Sequence, residues 1–335
     1  MQRIIFTVAI LVYFLIGIAI FRDVGLSMDE PFERDIGMSN VKFLLHKLNL
    51  HRFLCDGICE ADLVVDLDYL PDRIYGSWFQ IVSIALEAIT GASGMEIFHI
   101  RHLLLFYVGT VGLVFLYRTI AMLYKNEWIA LAVALLFAIQ PRFFGESFYN
   151  SKDMLLVAIT HIAFYYLLRF LRRPWRRGFF ITAGVLTGLT IATRVTAIMM
   201  FTGVLILLLV DLTIARRRRR VLIGIGGYVL ASAFFSVLFW PYLWKQPVAH
   251  FFESVAGMSR YPLHTQVLLN GQILNSANLP WDYVLQWILV TVPELIILLL
   301  IAGVATLFLA AIRREGLIRK YRRLKSEVFA AGLFL

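Results

Sequence analysis

Apolar runs long enough to cross a membrane recur along this chain, and clusters of arginine stand between them. A helix needs about 20 apolar residues to cross roughly 30 Å of hydrocarbon. Soluble α/β proteins bury short apolar strands, but they do not repeat near-continuous runs of Leu, Ile, Val and Phe in this way. Each helix satisfies its own backbone hydrogen bonds, which lipid cannot do for it, so helices are the default. The fold class expected is therefore an all-α membrane protein, a multi-spanning helical bundle. With 60% apolar and 16% charged residues, the composition agrees.

Eight spans are expected, at residues 4–21, 102–123, 128–140, 153–171, 179–193, 195–211, 221–240 and within 284–312. The first run has no small-residue cleavage site after it and reads as a retained anchor, not a secretory signal. The net charge of +10 would point to nucleic acid in a soluble domain. Here 20 of the 32 basic residues fall in the turns that alternate topology assigns to the cytoplasm, whereas 18 of the 22 acids fall outside. The basic residues thus report orientation, with the N-terminus inside, and no nucleic-acid partner is expected.

This topology leaves three outer segments: a long first loop over 22–101 that carries interfacial helices, a second loop over 141–152 and a third over 241–283. The apolar stretch 74–93 is excluded as a ninth crossing by parity, because it would put every later arginine cluster outside. The closing run "VFAAGLFL" is too short to span and reads as the start of a further helix of a longer protein. The chain reads as a single transmembrane domain over 1–335, with more helices expected beyond it.

The first loop opens with "LSMDEPFERD", which places four carboxylates in ten residues next to the membrane edge. That is ordinary for a solvated acidic loop, and it is also where a base would meet a lipid-linked substrate. Arg101, Lys152, Asp153 and Arg194 lie near helix ends on the same face, at depths where charge is costly unless paired or used. Basic residues at helix ends commonly snorkel, and Asp153 also suits a helix cap. Cys55 and Cys59, in "CDGIC", are the only cysteines; outside the membrane they suit a local disulfide better than a metal site. His99 and His102 suit core or interface packing.

The segments "MDEP", "YGSWFQIV", "HIRHLLLFYVGTVGLVFLY", "LLFAIQPRFFGESFYNSKDMLLVAI" and "GVLTGLTIATRVTAI", in that order, resemble the C-type membrane glycosyltransferases. The branch is that of bacterial protein O-mannosyltransferase-like and aminoarabinose-transferase-like enzymes. The resemblance, over about residues 1–290, implies inverting transfer of a sugar from a polyprenyl-phosphate donor to an acceptor protein, lipid or glycan. The site would face the periplasm from a bacterial inner membrane. The family's acidic pair falls on Asp29 and Glu30, with Asp29 as general base. Its donor-phosphate arginine falls on Arg101 and its second acidic position on Asp153.

The chemistry agrees with that assignment. A sugar phosphate reacts by losing an anionic leaving group, so Arg101, Lys152 and Arg194 suit the donor phosphate. Asp29 and Asp153 together suit a divalent cation, Mg²⁺ or Mn²⁺. In the third loop, Arg260 and His264 are the expected substrate contacts. A polytopic transporter or flippase is the alternative; it calls for charges near the bilayer middle and for broken helices in matched halves, and the sequence shows no inverted repeat.

Overall fold

The computed structural model describes residues 1–50, 66–70, 72–214, 218–259 and 265–312. Cys55, Cys59, Arg260 and His264 lie outside the described residues, and so do the disulfide and the two third-loop contacts expected from them. The chain forms two units, a larger one holding residues 1–258 and a smaller one over 259–328.

The larger unit contains α1 (Gln2–Ile20), α2 (Asp29–Lys47), α3 (Trp78–Thr90), α4 (Glu96–Tyr124), α5 (Glu127–Ala138), α6 (Pro141–Tyr149), α7 (Asp153–Arg172), α8 (Arg177–Ile191), α9 (Ile198–Ile214), α10 (Arg218–Leu238) and α11 (Pro247–Ser259). Among the described residues, five helices are long and apolar enough to cross a bilayer: α1, α4, α7, the stretch Val195–Thr213 and α10. This is a multi-spanning helical membrane protein, as expected.

One expected crossing of this unit differs. α5 and α6 pass as one span only as a pair bent by 63°; Pro141 opens α6, where its missing N–H breaks no bond of the new helix. The segment expected as the second outer loop is thus largely helical. α8 has 15 residues, as short of a full crossing as the 15-residue segment 179–193 expected there. The stretch expected to stay out of the bilayer contains the 13-residue α3, which is also too short to cross.

α4 is the spine. Its 29 residues reach about 44 Å at 1.5 Å each, so it crosses the hydrocarbon and continues beyond it. It ends at Lys125 in the left-handed conformation (φ 53°), and the next residue, Asn126, caps α5 by accepting from Trp128 N at 2.9 Å. One core cluster joins α1, α4, α5 and α7, with Phe6 stacked on Tyr117 at 3.9 Å. A second joins α7 to α10 around Phe170 and Tyr228. α1 keeps Ile4, Val8, Leu11 and Leu15 exposed, a face that suits lipid.

The smaller unit holds a two-stranded antiparallel hairpin, β1 (Gln266–Leu269) and β2 (Gln272–Asn275), with Leu269 opposite Gln272. Asn270 and Gly271 make its turn at φ 50° and 79°, the pairing that a two-residue hairpin demands. α12 (Tyr283–Thr291) and α13 (Glu294–Ile312) follow. A single long helix was expected within 284–312; instead the axis turns by 118° between them. Pro293 removes a backbone donor and holds Val292 extended (ψ 129°), so the helix stops there.

Candidate functional site

The acidic stretch of the first loop is the start of a helix. The Glu30 carboxylate reaches back to accept from Ser27 N at 2.8 Å, and two acids sit in the first turn, where the helix dipole favours them. This regular winding gives neighbouring carboxylates different neighbours. Asp29 is exposed, at the rim of a cavity. Glu33, one turn on and on the same face, is buried deeper in that cavity. Glu30 turns the other way and meets His102 Nε2 of α4 at 2.8 Å, with both side chains sealed from solvent. Glu30 is therefore held in a structural pair and does not line the cavity.

The cavity, of about 350 Å³, is lined by Asp29, Glu33, Tyr75, Glu146, Tyr149, Asn150, Lys152, Asp153 and Arg194, with Ser27 and Met28 at the edge. Its volume falls in the range of small-ligand sites, ~300–1,000 Å³. Three elements deliver the charges. α2 brings Asp29 and Glu33. The α6–α7 turn brings Glu146 through Asp153, with Asn150 Oδ1 accepting from Asp153 N at 2.9 Å to start α7. The turn after α8 brings Arg194, which is ion-paired with Asp153.

Tyr75 organises the cations. Lys152 Nζ lies 5.1 Å from its ring centroid and the Arg194 guanidinium 5.5 Å, so one aromatic ring serves both charges. The chain reaches this place because Gly76 passes against the Ala192 backbone; a Cβ on residue 76 would coincide with the Ala192 carbonyl. Trp78 then donates from Nε1 to Thr193 Oγ1 at 2.8 Å, fixing the start of α3 to the same turn.

Beneath the floor runs a buried polar network. Gln80 Nε2 donates to Glu33 Oε2 at 3.0 Å and to Ser151 Oγ at 2.8 Å, and Ser151 itself donates to Glu33. Lys152 Nζ stands 3.8 Å from Glu33 and 3.2 Å from Asp72. Burial holds the Glu33 carboxyl above the usual range for its type, against the pull of Ser151, Lys152 and Arg101. For Lys152, burial acts to lower the ammonium pKa, but Glu33 and Asp72 outweigh it and leave it raised. Lys152 is thus a fixed cation at working pH.

Arg101 does not line the cavity. Its side chain is 3% exposed; it donates to Gln80 and stands 3.6 Å from Glu87. Glu87 in turn holds Arg34 of α2 at 2.9 Å. Arg101 therefore meets the cavity only through Gln80 and Glu33. Asp29 and Asp153 share the cavity wall, but Asp153 is engaged by Arg194, and among the described residues no group of three His, Cys, Asp or Glu side chains is placed to hold a metal ion. An ion between the two aspartates would compete with the Arg194 guanidinium for Asp153.

Sequence reasoning missed Glu33, Tyr75 and Gln80. The signal for Glu33 was its four-residue spacing from Asp29, which has meaning only if the segment is helical.

Residues 75–240, just under half of the chain, match the family model described as dolichyl-phosphate-mannose-protein mannosyltransferase. No curated protein and no solved structure matches. The family match bears out the resemblance to C-type membrane glycosyltransferases and indicates glycosyltransferase activity of that type. The matched span carries Tyr75, Gln80, Arg101, Lys152, Asp153 and Arg194; Asp29 precedes it.

Proposed function

We propose that the chain transfers a sugar, with inversion, from a polyprenyl-phosphate donor to a hydroxyl or amine of an acceptor protein, lipid or glycan. The cavity would open on the outer face of a bacterial inner membrane, towards the periplasm. One observation carries this reading: an exposed carboxylate, Asp29, and two cations, Lys152 and Arg194, from three separate parts of the sequence line a single cavity.

In this reaction the acceptor oxygen or nitrogen attacks the anomeric carbon as the bond from that carbon to the phosphate oxygen breaks. The electron pair leaves on the phosphate, and Asp29 takes the acceptor proton. Single displacement inverts the centre. Charge grows on the leaving phosphate, where Lys152 and Arg194 offset it more strongly than water would. Arg101 is a positioning residue, holding Gln80 and through it the Glu33–Lys152 pair.

An apolar groove of about 380 Å³, lined among others by Ile191, Ile198, Phe201 and Phe251, supports a lipid-linked donor. Ile191 and Ile198 flank the same turn that carries Arg194, so a phosphate at Arg194 and an isoprenoid chain in the groove would be continuous.

The test is transfer from a synthetic polyprenyl-phosphate sugar by the full chain in detergent. Asp29→Asn keeps the shape and removes the base, so turnover is expected to fall by ~10²–10⁴-fold with donor binding nearly intact. Arg194→Ala is expected to weaken donor binding. Transfer by Asp29→Asn at the parent rate would remove Asp29 from the reaction.

A further inference from the structure

A second cavity, larger than the first, lies at the far end of α7, whose start lines the first. It occupies about 710 Å³ between the start of α1, the second half of α4, the start of α5 and the end of α7. Its wall is mixed. Apolar side chains of α1 and α4 form one part, and Arg3, Arg118 and Arg169 supply three guanidiniums.

Only one of those charges is compensated. Arg3 is paired with Glu127 at 2.5 Å. Arg118 and Arg169 have no carboxylate within ion-pairing distance among the described residues; they rest instead on rings, Arg118 over Phe115 at 5.5 Å and Arg169 over Tyr165 at 5.5 Å. Tyr165 also accepts a hydrogen bond from Arg169 at 3.2 Å. In the same wall the Tyr117 side chain is 7% exposed, and its hydroxyl is buried with no hydrogen-bond partner. Its ring is held by the stack on Phe6, so the hydroxyl is not free to turn to water. A buried hydroxyl left unpaired is unfavourable, and an acceptor oxygen in the cavity would relieve it.

Snorkelling alone explains arginines at a membrane edge. It does not explain a cavity between them or an unpaired hydroxyl in its wall. We propose that this cavity binds the headgroup of an anionic phospholipid from the leaflet opposite the candidate site, with Arg118 and Arg169 on the phosphodiester and Tyr117 donating to one of its oxygens. The apolar wall takes the upper acyl chains. A zwitterionic lipid is disfavoured because its ammonium charge would sit among guanidiniums, and a free phosphate would leave the apolar wall unused. The inference rests on the chain spanning a membrane, not on the transfer reaction.

The experiment is native mass spectrometry of the full chain in detergent, titrated with phosphatidylglycerol or phosphatidylcholine. The expected result is selective retention of phosphatidylglycerol. Arg118→Gln and Arg169→Gln should each weaken it about tenfold, the loss expected for one charge-assisted hydrogen bond. Tyr117→Phe keeps the ring stack and removes only the hydroxyl, so it should weaken binding by a smaller factor, and it serves as the test if the arginine variants do not fold. Equal retention of the two lipids, retention of phosphatidylglycerol by the double arginine variant at the parent level, or an unchanged Tyr117→Phe variant would each overturn the proposal. Displacement of phosphatidylglycerol by a polyprenyl phosphate at lower concentration would overturn it too, in favour of the carrier lipid as occupant.

Discussion

Asp29, Glu30 and Glu33 lie within five positions of one another, yet they have three different environments. Asp29 faces the cavity mouth with solvent around it, Glu30 is locked to His102, and Glu33 sits under Lys152 with Ser151 and Gln80 bonded to it. Their responses to mutation should separate accordingly. Glu33→Ala leaves a buried amide and hydroxyl short of an acceptor and removes a counter-charge from Lys152, so it is expected to cost ~2–5 kcal/mol. Asp29→Asn should leave stability within ~0.5 kcal/mol, as for other exposed changes. Reversible unfolding in detergent measures both, and equal losses would contradict the division. At this scale the sequence pointed to Asp29 through its place at the membrane edge and to Lys152, Asp153 and Arg194 through charge at helix ends, and all four line the cavity. It hid Glu33, because a segment read as loop has no faces. It also misplaced Arg101, because sequence does not show that Gln80 of α3 stands between that arginine and the cavity.

Packing between elements relies on small residues where lipid gives no hydrophobic drive. α8 presents Gly184 and Gly188, one turn apart, to α10. A Cβ at 184 would lie 2.5 Å from Ala231 Cβ, and one at 188 would lie 2.7 Å from the Ser232 carbonyl oxygen. Gly188→Ala therefore pushes two helices apart, with an expected loss of ~1–3 kcal/mol from overpacking. Because α8 leads directly into the turn that carries Arg194, donor binding should weaken with it. Gly178→Ala is the control: nothing lies within 4 Å of its added carbon, and better helix propensity should leave stability equal or slightly higher. Thermal unfolding of both variants tests this, and equal behaviour would show that the α8–α10 contact is loose. Long apolar runs made α1, α4, α7 and α10 legible as spans. The break at Pro141 was legible too, since the expected span 128–140 stops before it, whereas the one at Pro293 was missed because hydropathy averaged over a window passes across a proline without registering it.

At the scale of the larger unit, residues 66–73 and 242–253 are joined. Arg73 pairs with Glu253 at 2.8 Å, Tyr242 donates to the same carboxylate at 2.8 Å, and His250 stacks on Tyr242 at 4.2 Å. Lys245 completes the junction by pairing with Asp68 and, at 3.5 Å, with Asp66. Sequence reading gave Arg260 and His264 of the third loop to substrate, and these lie outside the described residues; residues 242–253 bind the first loop, which carries Tyr75 and Gly76 to the cavity. This tie has a pH dependence whose sign follows from its carboxylates. The hydrogen bond from Tyr242, and then that from Arg73, hold Glu253 below the usual carboxylate range, and the Asp68 backbone N–H does the same for Asp66. A depressed folded pKa gives stability that is present above the unfolded value, about 4, and is lost as pH falls through the folded one. Hydrogen exchange, corrected for its intrinsic rate, should therefore show constant protection of residues 66–70 and 241–253 from neutral pH to about 5 and falling protection below about 4. Glu253→Gln should flatten that fall. The Arg73–Glu253 pair is partly exposed, so its effect is ~1 kcal/mol at most and shrinks with added salt. Protection that falls equally in the parent and in Glu253→Gln would assign the acid sensitivity to other carboxylates and leave the loop junction without a role in it.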